Sequence, residues 1–181
     1  MPTPVGHALG GLATAWLSRA SSRTKQPAFR RHWILPAACV VAAVVPDVDI
    51  LLGGHRSYTH SVGAALIAGI VTWVLVRVRA RTENHRATLV ALTITVAYGT
   101  HILLDWLGKD TAPPFGVMAL WPFSSRFYIS GVDLFLETSR RYWKPSEFIL
   151  GNLKALALEM IILGPIALLA WALARRRARK E

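Results

Sequence analysis

Three long apolar stretches constrain this chain more than any other feature: His60 to Val78, Ala87 to Leu107 and about Phe148 to Ala174. The hydrocarbon core of a bilayer takes roughly 20 consecutive apolar helical residues to cross, and each stretch is near that length. Backbone in lipid must satisfy its own hydrogen bonds, so the expected fold class is all-α, a multi-pass membrane helical bundle. A fourth stretch, Trp33 to Leu52, is apolar until Pro46-Asp47-Val48-Asp49 interrupts it, and a short one from Val5 to Leu17 opens the chain. That makes about four to five hydrophobic helices and one long loop, Gly108 to Ser146. Composition agrees, because a chain of 181 residues with 53% hydrophobic and 17% charged side chains offers little polar surface for a soluble domain. The length suits a single domain over residues 1–181.

The formal charge of +11 could suggest a nucleic-acid partner. The position of the charges argues otherwise. Arg19, Arg23, Lys25, Arg30 and Arg31 follow the first apolar segment; Arg77, Arg79, Arg81 and Arg86 join the third and fourth; a basic tail over 175–181 closes the chain. Basic residues in short loops stay cytoplasmic, so five segments alternate with these clusters inside. The amino terminus, the link from Asp47 to His60 and the long loop then fall on the extracytoplasmic side. No nucleic acid is expected, and membrane lipid is the expected neighbour. Met1-Pro-Thr-Pro has no basic leader, so no removable signal peptide is expected. Cys39, the one cysteine, sits in an apolar run and reads as packing.

This topology gives seven scattered side chains one address. His7 opens the first segment, Asp47 and Asp49 end the second, His55 and His60 flank the start of the third, and His101 and Asp105 lie in the last turns of the fourth. All seven map to one membrane face, whereas His32 and His85 sit among the cytoplasmic arginines. His101 and Asp105 are an i, i+4 pair, which places imidazole and carboxylate on one helix face. Pro46 removes a helix donor and bends the chain at Asp47. Thr59 reads as the N-cap of the third segment. Arg56 would suit an anionic substrate group, since its planar fork matches phosphate oxygens. Imidazole with carboxylate favours zinc, with manganese or iron as alternatives. Seven candidates exceed the needs of one tetrahedral ion, so two are expected. Ionisable residues at membrane helices are usually functional. Glu159, deep in the last segment, reads equally as a partner of the site or of a neighbouring helix, and Asp110 and Asp133 read as solvated loop residues.

At these residues the chain resembles the YdjM-like family of membrane-bound metal-dependent hydrolases, also described as LexA-binding and inner-membrane-associated. The resemblance rests on His7 with Gly10-Gly11, on Pro46-Asp47-Val48-Asp49, on His55-Arg56-Ser57-Tyr58-Thr59-His60-Ser61, on His101-Ile102-Leu103-Leu104-Asp105 and on Leu120-Trp121-Pro122-Phe123-Ser124. The family is itself similar to the zinc-dependent phospholipase C and P1 nuclease group, which implies hydrolysis of a phosphodiester or phospholipid. This chain departs from those enzymes in lacking an amino-terminal Trp ligand and a clear His-x-x-x-Glu pair.

The expected function is thus a hydrolase of the inner membrane in which metal-activated water attacks a phosphoester. His7, His55, His60, His101 and Asp105 would be ligands, Asp47 or Asp49 would bridge metals or act as base, and Arg56 would steady the substrate. The long loop could serve as a lid. A non-catalytic metal-binding protein or a regulator is the alternative. A transporter would instead place its polar residues near the bilayer midplane.

Overall fold

The computed structural model describes residues 1–21, 33–52, 56–80 and 83–179. Five α-helices carry the architecture: α1 (Pro4–Ser21), α2 (Ile34–Val44), α3 (Val62–Ala80), α4 (Asn84–Leu107) and α5 (Pro145–Ala178). Two 3-10 segments, Val45–Leu52 and Tyr58–His60, stand between α2 and α3. Among the described residues there is no strand, only the isolated bridges Gly108 with Phe135 and Val117 with Tyr128.

Three helices, α3, α4 and α5, are long and apolar enough to cross a membrane. The fourth apolar stretch does not become one long helix. Its α-winding stops after 11 residues, where Pro46 cannot donate, and the chain tightens into a 3-10 segment. At about 1.5 Å per residue α2 is roughly 16 Å long, half a hydrocarbon core. By contrast α5, with 34 residues, reaches about 51 Å and outruns that core.

The bundle centres on α4. Its buried side chains recur at helical spacing, through Ala87, Val90, Ala91, Ile94, Ala97, Tyr98, His101, Leu104 and Asp105, which gives one continuous inward stripe. Against it pack α1, α2 and α3, while α5 packs on α1. Small residues let these helices approach closely. Gly11 meets the Cys39 carbonyl so tightly that an added Cβ would lie 2.5 Å from it, and Ala15, Cys39 and Ala43 are fully buried. Hydroxyls inside the helices, such as those of Thr72, Thr93 and Thr95, donate to carbonyls of the preceding turn, so they cost little in an apolar setting. The outward faces remain apolar: Ile70, Val71, Val78, Ile161, Leu168 and Leu169 are at least half exposed, a surface suited to lipid rather than water.

The start of α3 differs from the sequence expectation. Ser61, not Thr59, is the N-cap: its Oγ accepts the Ala64 N–H at 3.1 Å. Thr59 and His60 belong to the preceding 3-10 turn. Thr59 is free to turn its hydroxyl towards Asp49, as described below. The link 108–144 packs on this corner, its Ala119 and Trp121 carbonyls accepting the Val62 and Gly63 N–H groups. Phe135, 1% exposed, anchors the same link between Leu104 and Leu163.

Candidate metal centre

Four elements deliver polar side chains to the same end of the bundle. His7 lies in the first turn of α1, Asp47 and Asp49 in the 3-10 segment after α2, His60 just before α3, and His101 and Asp105 in the last two turns of α4. Asp47, His60, His101 and Asp105 each offer one ligand atom, and these four atoms lie within 4.8 Å of one another. His60, His101 and Asp105 are buried, whereas the Asp47 side chain is 21% exposed and forms the accessible edge.

Each ring is held from behind. His101 Nδ1 lies 2.8 Å from the Ala43 carbonyl, which accepts only if that nitrogen carries the hydrogen, so the Nε2 lone pair faces Asp105 Oδ2 at 3.3 Å and Asp47 Oδ1 at 3.7 Å. His60 Nδ1 lies 3.2 Å from Asp49 Oδ2, and its Nε2 lies 3.4 Å from Asp105 Oδ2. Asp49 Oδ2 also accepts the Thr59 hydroxyl at 2.5 Å and the Arg56 N–H at 3.2 Å. The structure thus sets Asp49 behind His60, outside the group of four. His7 stacks on His101 with ring centroids 3.8 Å apart, and its Nε2 is 3.4 Å from Asp105 Oδ1.

Buried polar atoms are nearly always hydrogen-bonded, yet five here are not: both ring nitrogens of His7, Nε2 of His101 and both oxygens of Asp105. A divalent cation is the partner that satisfies imidazole lone pairs and carboxylate oxygens at once. The electrostatics agree. Burial opposes charge on Asp47 and His60, which precede the membrane-spanning part of α3. Their mutual interaction and the neighbouring groups overcome it, drawing Asp47 below its ordinary value and raising His60 to about 9. The pocket therefore favours positive charge at its centre.

The other expected residues fall elsewhere. His55, with Gly53-Gly54, lies outside the described residues, as does His32. His85 is at the opposite end of α4, about 24 Å away along the axis from His101. Arg56 adopts a left-handed backbone, φ 71°. Its guanidinium pairs with Asp110 and donates to the carbonyls of Ala112 and Pro114. Asp110 is accordingly not solvated: its side chain is 3% exposed and accepts the Gly116 N–H as well. Glu159 resolves towards a neighbouring helix. Thr3 caps α1 by accepting the Gly6 N–H, and Glu159 accepts both the Thr3 N–H at 2.7 Å and the Thr3 hydroxyl at 2.5 Å. Sequence reading missed the Ala43 carbonyl and the Thr59 hydroxyl as supports of the site; neither residue type carries a signal for such a role.

Fold and site together define a helical membrane protein with a possible metal-binding group buried at one end of its bundle. The chain belongs to the YdjM inner membrane protein family, whose model matches residues 1–179. No curated protein and no solved structure matches it.

Proposed function

We propose that this chain is a metal-dependent hydrolase of the inner membrane, acting on a phosphoester or phospholipid at the extracytoplasmic face. The observation that carries the reading is the gathering of Asp47, His60, His101 and Asp105 ligand atoms within 4.8 Å of one another, with five buried atoms of His7, His101 and Asp105 left without a hydrogen bond. Asp47, His60, His101 and Asp105 hold one ion, zinc by the chemistry of the donors. His7 and Asp105 Oδ1 offer ligands to a second, and His55 is the further candidate for it. A bound divalent ion supplies Lewis acidity and water acidified towards neutral pH. The protein's own part is to orient and to exclude: the Ala43 carbonyl and Asp49 fix the two rings, and burial keeps bulk water from the ligands. Asp47, the most accessible carboxylate of the group, would serve both as a ligand and, through its outer edge, as the proton acceptor; Asp49 positions His60, and Arg56, anchored on Asp110, faces the substrate anion.

Basic side chains support the sidedness. Arg77, Arg79 and Arg86 flank the junction of α3 and α4, and Arg175, Arg176 and Arg177 close α5, so this end is cytoplasmic by the positive-inside rule. The metal end is then extracytoplasmic, with α1 and α2 completing a bundle of five segments and 108–144 lying over it as a lid.

Metal analysis of the purified chain in detergent, followed by hydrolysis of a chromogenic phosphodiester by wild type and Asp105→Ala, tests this reading. Bound metal with activity lost in the variant is expected; absence of metal sinks it. The near-complete burial of His60, His101 and Asp105 favours one rival, a closed non-catalytic metal site. Metal without hydrolysis across a broad phosphoester panel would select that rival.

A further inference from the structure

Outside the metal group, a cleft of about 530 Å³ with several charged residues in its lining opens between the start of the 108–144 link and the upper part of α5. Five Lys and Arg side chains line it against three carboxylates, and those carboxylates are engaged. Asp110 pairs with Arg56, Glu147 with Lys144 and Arg141, and Glu137 accepts the Thr111 hydroxyl. The ammonium groups of Lys109, on the link, and Lys154, on α5, have no carboxylate partner among the described residues. The cleft wall is built rather than loose: Asn152 on α5 exchanges two hydrogen bonds with the Ser139 backbone, at 2.8 and 3.0 Å. Gly151 lines it without a side chain, and a Cβ added there would meet only Ser139 Cβ, at 3.9 Å.

Two further observations define the occupant. Exposed Ile149, Leu150 and Leu153 flank Gly151 and Lys154 on α5, so apolar surface and cationic side chains meet at one level, as they do where a helix leaves the hydrocarbon. Lys109 stands two residues beyond the end of α4, whose last turn carries Asp105, so the cleft opens at the same end of the bundle as the ligand group.

We infer that this cleft binds the phosphate-bearing head group of an anionic lipid, held between Lys109 and Lys154 at the metal end of the bundle. The inference deepens the hydrolase reading by naming the substrate's charge and its approach from the membrane surface, and in that role rests on it. Binding itself can be measured separately. Dihexanoyl phosphatidylglycerol and inorganic phosphate are titrated calorimetrically into the full chain in neutral detergent, with bound metal measured on the same samples. The lipid is expected to bind. Lys109→Gln with Lys154→Gln should weaken it about thirtyfold at low salt. Gly151→Leu should block it by volume alone, without cost to the helix, and metal content should not change in either. Binding of phosphate alone would keep the anion site and assign it to free phosphate; binding of the lipid alone would assign it to a head group. No binding of either, or unaltered binding in both variants, overturns the inference. A chain that binds the lipid but no metal would sink the hydrolase reading and leave the cleft standing.

Discussion

Asp49→Asn separates a ligand from a residue that aims one. Asp49 Oδ2 collects the Thr59 hydroxyl, the Arg56 N–H and His60 Nδ1, which leaves it holding the ring rather than the ion. Removing such a support costs roughly 10- to 100-fold in metal affinity, or about 1.4 to 2.7 kcal/mol. Asparagine keeps an acceptor oxygen of the same reach but loses the charge that strengthens the bond, so Asp49→Asn belongs near tenfold and Asp49→Ala near a hundredfold. Competition with a chromogenic chelator, on protein purified in detergent, reads both affinity and stoichiometry. Stoichiometry should be unchanged in both variants and should fall in His101→Ala. Loss of a whole metal equivalent in Asp49→Asn would make Asp49 a ligand and refute the geometry argued above; an unchanged affinity would refute the supporting role.

Other substitutions probe the frame around the site. Gly11→Ala forces a methyl against the Cys39 carbonyl and should destabilise the contact of α1 with α2 by about 1–3 kcal/mol, read by denaturant unfolding in micelles. Phe135→Ala empties the anchor between Leu104 and Leu163, at about 3–5 kcal/mol; limited proteolysis should then cut within 108–144 well before the helices. Glu159→Ala leaves the half-buried Thr3 N–H without its acceptor, a loss of about 1–2 kcal/mol. Because Thr3 caps the turn that carries His7, metal affinity should fall with it, whereas Glu159→Gln should restore most of it.

What could be read in the sequence was whatever depends on period and on which end of the bundle a segment finishes. The i, i+4 spacing of His101 and Asp105 survives into the structure unchanged, and alternating segments suffice to bring His7 and His60 to the same depth. Features set by contacts far apart in the chain stayed hidden. Nothing near Asp110 announces Arg56, 54 residues earlier, and nothing near Glu159 announces Thr3, 156 residues away. Local competition was equally hard to read: Ser61 and Thr59 both have capping hydroxyls, and only the turn of His60 decides between them. Pro46 marked a break correctly, but not that the helix before it would be half a membrane long.

That proline has a consequence on another helix. In the 3-10 winding that begins at Val45, the carbonyl of residue 43 would accept from residue 46, and a proline has no N–H to give. The Ala43 oxygen, denied the donor at residue 46, meets the His101 ring, 58 residues along, at 2.8 Å. A hydrogen missing from Pro46 thus selects the tautomer of a histidine on α4, and so decides which of its nitrogens is offered to a metal.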